Sequence, residues 1–164
     1  MQGFKAFSSN SDYQEEKTYH LPYDIKLTKG PNGTGFYYTP YLEDTLRFVN
    51  GMTEEINIAQ VTADVEIITF NDEYNGYYDI CNTRKLTIDH IMSREEIMNT
   101  MLTKSEDALI RFISGYKLTD EEQQLIKKTH PKQAMINLAI KYYQQNESNA
   151  YKDKALSRKV FRTL

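Results

Sequence analysis

The sequence predicts an α+β protein: a mostly antiparallel sheet with one inserted helix, followed by a C-terminal helical region. Three observations carry this reading. Residues 1–92 are dominated by period-two apolar patterns and residues 93–164 by helical spacing. The change of period falls on Ser93-Arg94-Glu95-Glu96, a helix-opening capping box. Asn75-Gly76, the strongest hairpin signal in the chain, lies inside the strand-rich part.

Taken in order, Phe4 and Ala6 around Lys5 predict a first strand, and Thr18-Tyr19-His20-Leu21 a short one ended by Pro22. Lys29–Gly35 is a dense turn cluster, with glycine wherever φ must be positive. Phe36-Tyr37-Tyr38 is a short aromatic strand. A helix then opens on Thr39 as N-cap with Pro40 in its first position. Leu42, Leu46 and Val49 share one face, and Gly51 ends it. Ile56 and Ile58 alternate with polar residues, then the phase changes to Ala59, Val61, Ala63, Val65 and Ile67, which predicts a bulge near Ile58–Ala59. After the turn at 71–76, Tyr77–Ile80 and Leu86–Ile91 read as returning strands.

The helical part opens with Ile97, Met98, Met101 and Leu102 as a buried stripe. A second helix runs from Ser105 through Leu109, Phe112 and Ile113 to Gly115. Thr119-Asp120-Glu121-Glu122 is another capping box, opening a helix with Leu125 and Ile126. Pro131 opens a fourth, with Ala134, Met135, Leu138 and Tyr142 on its apolar side, before the polar break 144–149 and a last basic segment. We divide the chain into an α+β domain over 1–104, with the first helix grouped with the sheet, and a helical extension over 105–164.

Composition narrows the function classes. The chain of 164 residues has a net charge of −3, so no global basic field recruits nucleic acid. The exception is 150–164, where five cations face Asp153 alone; this local +4 leaves −7 for the rest. Nucleic acid is therefore expected only through that segment, and a solvated helix face is the plainer reading of it. The lone Cys81 excludes an internal disulfide and a cysteine zinc site, and fits a reducing compartment. No apolar run spans a bilayer, and the N-terminus lacks the apolar core of a signal peptide, so no membrane association is expected. His20, His90 and His130 lack metal-ligand spacing, and the acidic run 72–79 lacks that of a calcium loop. Gly30–Gly35 precedes a strand and lacks the Gly-Lys-Ser/Thr ending of a phosphate loop. No complete catalytic set is present, and neither a metal site nor a resident cofactor is read from the residues.

Several short motifs carry a resemblance. Gly3-Phe-Lys-Ala-Phe7, Gly35-Phe-Tyr-Tyr-Thr39 with the helix after it, Ile58-Ala-Gln-Val-Thr62, and Arg84-Lys-Leu-Thr-Ile88 leading to Ser93-Arg-Glu-Glu-Ile97 resemble a module of tailed phages. The same module occurs fused to ankyrin repeats in giant DNA viruses. It covers about the first hundred residues and has no established activity. The chain lacks the cysteine-containing Gly-Phe-His segment of many phage versions. The resemblance implies a viral protein, placed in the host cytoplasm or the virion.

Gly35-Phe-Tyr-Tyr-Thr-Pro40 also resembles the second motif of ADP-ribosyltransferases. That resemblance implies NAD as cofactor, with Tyr37 against the nicotinamide ring, Tyr38 beside it, and Thr45 bonding the carboxamide. An aromatic face suits a planar cationic ring, and a hydroxyl both donates and accepts. The family's first motif, a His-Gly or Arg, is replaced by Lys5-Ala6. Its catalytic glutamate has only Glu66 and Glu73 as counterparts, both soon after the helix. Ordinary strand packing is the plainer reading of Tyr37 and Tyr38. The expectation is thus a non-enzymatic, protein-binding module that presents Tyr38, Tyr41, Tyr74, Tyr77 and Tyr78 to a partner, with an NAD-binding transferase-like domain as the alternative.

Overall fold

In the computed structural model, which describes residues 1–29, 34–49, 55–72 and 78–145, alternating apolar residues build five antiparallel strands ahead of four α-helices. The protein is α+β. Its chain divides into two compact units, Met1–Ser93 and Arg94–Leu164.

In the first unit, β1 is Gln2–Ser8, β2 Thr18–His20, β3 Phe36–Tyr38, β4 Ile56–Asp72 and β5 Tyr78–Ile91. The order β1-β4-β5-β2 is antiparallel throughout, and β3 pairs with β5 beyond the end of β2. Thr39, directly after β3, then exchanges both backbone hydrogen bonds with Phe4 of β1, at 2.7 and 2.9 Å. The ladder β1-β4-β5-β3 therefore returns to β1, and the sheet closes on itself as a small barrel, which removes open edges along the seam. Gly3 makes the closure possible. A Cβ there would lie 2.6 Å from the Thr39 carbonyl oxygen and 2.7 Å from the Tyr38 ring.

The interior is filled by Phe7, Tyr38, Ala59, Val61, Leu86 and Ile88, with Ala63 and Cys81 completing it. A chain of rings from Phe7 through Tyr13 and Tyr19 to Phe36 packs against this core, with centroids 5.2, 5.0 and 6.3 Å apart. Small alanines on β4 opposite large rings on β1 and β3 let the layers interlock. Leu42 and Leu46 of the inserted helix are buried, as are Ala6 and Ile58 on the other face of β1 and β4.

Local grammar and structure differ at several points. The inserted helix is a 3₁₀ helix over Leu42–Val49, because Thr39 is committed to β1 and Pro40 follows it as part of the connection. The phase change of β4 is real, but its register shifts lie at Gln60/Val61 and Ala63/Val65. Glu66, just beyond, has the left-handed φ of 43° that such irregularities demand. The returning chain is one strand, not two. Gly51 and the hairpin tip 73–77 lie outside the described residues.

In the second unit, α1 is Arg94–Met101, α2 Glu106–Ile113, α3 Asp120–Thr129 and α4 Ala134–Gln145. Ser105 caps α2 by accepting from the Ala108 N–H, and the Thr119/Glu122 capping box forms in full. Pro131 sits in the α3–α4 turn and does not open α4. The apolar side of α4 is Ile136, Ala139, Ile140 and Tyr143, whereas Leu138 is 40% exposed. Ala-Met-Ile-Asn-Leu-Ala-Ile-Lys-Tyr-Tyr offers apolar residues in two adjacent phases, and packing against α2 selects the later one. Gln144 belongs to α4 and not to a break. Its amide donates to the Ile113 and Tyr116 carbonyls at 2.7 and 2.8 Å and accepts from the Leu118 N–H at 2.9 Å. Arg94 stacks on the Tyr116 ring at 4.7 Å and donates to Glu122 and to the Lys117 carbonyl.

Candidate functional site

Adjacent residues of β3 go to opposite sides of the sheet. Tyr38 points inward and has no exposed surface. Its hydroxyl is buried with no hydrogen-bond partner among the described residues. Burial and the neighbouring Cys81 thiol push that phenol well above the ordinary tyrosine range. Tyr38 therefore cannot be part of a tyrosine-rich surface.

Tyr37 points outward, onto a face crossed by residues 21–29. Three side chains hold this strap down. The Tyr37 hydroxyl donates to the Thr28 carbonyl at 3.3 Å. The Asn82 amide donates to the Thr28 and Thr34 carbonyls, both at 2.8 Å. Arg84 donates to the Pro22 carbonyl. Two carbonyl acceptors fix which end of the Asn82 amide is nitrogen. The strap also needs Gly35, at φ 134°, since a Cβ there would meet Asn82 Oδ1 at 1.8 Å. Thr45 is fully buried in the 3₁₀ helix and donates to its own Leu42 carbonyl at 2.7 Å. The three residues of the NAD expectation are thus spread over two faces of the barrel wall and the inserted helix. The hydroxyls of Tyr37 and Thr45 are both spent on backbone carbonyls.

Lys5 is the residue that sequence reasoning passed over. Strand alternation sets it with Gly3 and Phe7 on the interior side of β1. Its amine donates to the Tyr37 carbonyl at 2.6 Å and lies 5.3 Å from the centre of the Tyr13 ring. Lys5 is half-buried, no carboxylate pairs with it among the described residues, and burial of its amine lowers its pKa from 10.5 to about 8. Such an amine is partly neutral in mildly alkaline solution and is then a base and a nucleophile. A lysine between Phe4 and Ala6 looks like the polar side of a half-buried strand. Only the closure of the sheet draws residues of both sides into the interior, Gly3 and Phe7 on one and Ala6 on the other.

The strap leaves an exposed cluster. Tyr23 is 75% exposed, edge-on to the His20 ring at 5.1 Å and under the Arg84 guanidinium at 5.7 Å. Arg84 is itself buried and reaches across to Glu66 at 2.7 Å, and its hydrogen bond holds the Glu66 carboxyl below the ordinary carboxylate range. Ile67, next in β4, is 36% exposed. Tyr41 is exposed as well. Tyr74 and Tyr77 lie outside the described residues.

Compared with protein-family models, curated proteins and solved structures, the chain matches none. Among the described residues there is no cluster of three or more His, Cys, Asp or Glu placed to hold a metal ion, and no helix is long and apolar enough to cross a membrane.

Proposed function

We propose that this chain is a non-enzymatic protein-binding module of a phage or other large DNA virus, acting in the virion or as a host-directed accessory factor in the host cytoplasm. The viral part of this reading rests on the motif resemblance in residues 3–97. The binding part rests on one observation. The aromatic strand is consumed by core and strap, while the strap lifts Tyr23 into solvent over an Arg84 locked by Glu66 and Pro22. Tyrosine gives large contact area at small entropic cost, and interface energy concentrates in such anchors. Pre-fixing the anchor before a partner arrives lowers the ordering cost of association.

The test is capture from infected host cells, and detection in purified virions, with wild-type protein and a Tyr23→Ala variant. Tyr23 is mostly exposed, so the variant should melt with the wild type. Loss of an anchor of this kind costs about 2 kcal/mol or more of binding. A partner retained by the wild type and released by Tyr23→Ala is the expected result. Equal capture by both, or none by either together with absence from virions, would remove this reading.

The transferase-like alternative makes a different demand. NAD at a hundred times its dissociation constant should stabilise the fold by about 2.7 kcal/mol. With Tyr37 and Thr45 already bonded to backbone, we expect no change in melting temperature in millimolar NAD. A clear rise that Tyr37→Phe abolishes would restore NAD as ligand.

A further inference from the structure

Charge is sorted along this chain. Residues 123–164 hold nine lysines and arginines against Glu147 and Asp153, a balance of +7, so the preceding 122 residues carry −10. Between Glu122 and Glu147 there is no acidic side chain. Four lysines fall in that interval: Lys127 and Lys128 in the last turn of α3, Lys132 in the α3–α4 turn and Lys141 in α4. Lys128, Lys132 and Lys141 are exposed and Lys127 is half-buried. None of the four makes an ion pair among the described residues. Lys127 and Lys141 line one open depression with Pro131 and Asn137, so cations of both helices share a face. The same sign continues in 150–164, whose own balance is +4.

The plain explanation covers part of this. Lys127 and Lys128 complement the C-terminal end of the α3 dipole. A solvated face ordinarily intersperses both signs, and this one does not. Lysine is a compact charge that meets a phosphate oxygen without the paired geometry by which arginine grips a carboxylate, and α3 and α4 contain no arginine. Lysine is also depleted from the cores of protein interfaces. Leu125 and Leu138 are the exposed large apolar side chains here, one on each helix, too few for a helix lying in a membrane surface. Tyr142 packs edge-on to the buried Tyr143, with centroids 5.2 Å apart, so neither ring stands free as the stacking platform that holds a single strand. A duplex backbone needs only the charges.

We infer that the lysine face of α3 and α4, extended by the basic segment 150–164, docks duplex DNA through its phosphate backbone without reading sequence. The −10 balance of the preceding residues repels the same polyanion, which confines contact to residues 123–164. The inference is independent of the Tyr23 surface.

The probe is a short labelled DNA duplex, titrated with the full-length chain while its fluorescence anisotropy is followed from about 50 to 200 mM salt. Saturable binding that falls steeply with salt and is the same for unrelated duplex sequences is expected. Combining Lys127→Gln, Lys128→Gln, Lys132→Gln and Lys141→Gln should weaken binding at least about tenfold at the lowest salt. It should also flatten the slope of log affinity against log salt by roughly 2–4, since each phosphate contact contributes about 0.9. Lys132→Glu with Lys141→Glu, confined to exposed positions, should act in the same direction and leave melting unchanged. Lys17→Gln with Lys26→Gln, exposed lysines of the first unit, should leave binding as it was. Absence of saturation at the lowest salt, undiminished binding by the α3–α4 variants, or an equal loss in the Lys17 and Lys26 variant would overturn the assignment. So would tighter binding to a single strand than to the duplex, or retention by phosphatidylserine vesicles and not by the duplex.

Discussion

Lys5→Met is expected to stabilise the protein at neutral pH and to flatten its stability between pH 7 and about 9.5. The physical basis is a cation placed among aromatic rings with no carboxylate partner among the described residues. The Tyr37 carbonyl and the Tyr13 ring face return part of the lost hydration, but neither supplies a countercharge. Tyr13 is the titratable side chain whose ring lies against it, and burial and then the neighbouring Tyr19 raise the Tyr13 phenol. The folded state therefore releases the lysine proton near pH 8 and the unfolded state near 10.5. Between these values the unfolded chain holds more protons, so folding gains stability as pH rises. Below about 8 both states are charged and the full cost of burial is present. A displacement of this size corresponds to roughly 3 kcal/mol in total, of which about 2 kcal/mol falls below pH 9.5. Above that range the buried phenols of Tyr13, Tyr38 and Tyr116, all displaced upward, act in the opposite sense, because the unfolded chain ionises first. Methionine keeps the stem and removes the charge, at the expense of one bond to Tyr37 O. We expect a net gain of about 1–2 kcal/mol at pH 7, read from urea midpoints. A wild-type midpoint that does not rise from pH 7 to 9, or a variant less stable than wild type at pH 7, would mean that the amine is hydrated and not enclosed.

The same lysine explains how far the sequence could be read. Elements with local signatures were legible. Ser105 and Thr119 cap the helices that their motifs announce, and β3 is the aromatic triplet itself. Features set by distant parts of the chain were not. Thr39 has a good N-cap side chain, yet its backbone is claimed by Phe4, thirty-five residues earlier, and the helix after it tightens to 3₁₀. Period-two alternation tells inside from outside only while one face of a strand is wet. Closure buries residues on both faces of β1, Gly3 and Phe7 on the side of Lys5 and Ala6 on the other, so alternation alone does not tell the two sides apart. Helix α4 shows the corresponding ambiguity for period 3.6, where Leu138 and Ile140 compete for the inside and only the α2 surface decides. The candidate residues follow this division. Tyr37 and Tyr38 could be recognised as an aromatic strand, but which of them meets solvent depends on a strap whose anchors, Asn82 and Arg84, lie on β5 as unremarkable polar residues.

Tyr38 gives the sharpest contrast, because two substitutions at one position should move stability in opposite directions. The ring fills the centre of the barrel beside Cys81, against Gly3, with no exposed surface. Removing it with Tyr38→Ala leaves a cavity at the seam where β3 meets β1. The expected loss is about 3–5 kcal/mol, the range for large aromatic truncations in cores. Among the described residues the hydroxyl has no hydrogen-bond partner at bonding distance, with only the weakly bonding Cys81 thiol beside it, so its desolvation is poorly compensated. Tyr38→Phe keeps the packing and deletes the unbonded group, and should stabilise by about 1–2 kcal/mol. The unpartnered phenol also makes the second variant a probe of function. If Tyr38 serves only as interior filling, the phenylalanine variant should melt higher and capture the same partner as wild type. If it instead melts lower, the hydroxyl has a partner in solution, such as an enclosed water or a ligand reaching the barrel interior. The filled-core account on which the binding reading stands would then fail at its centre.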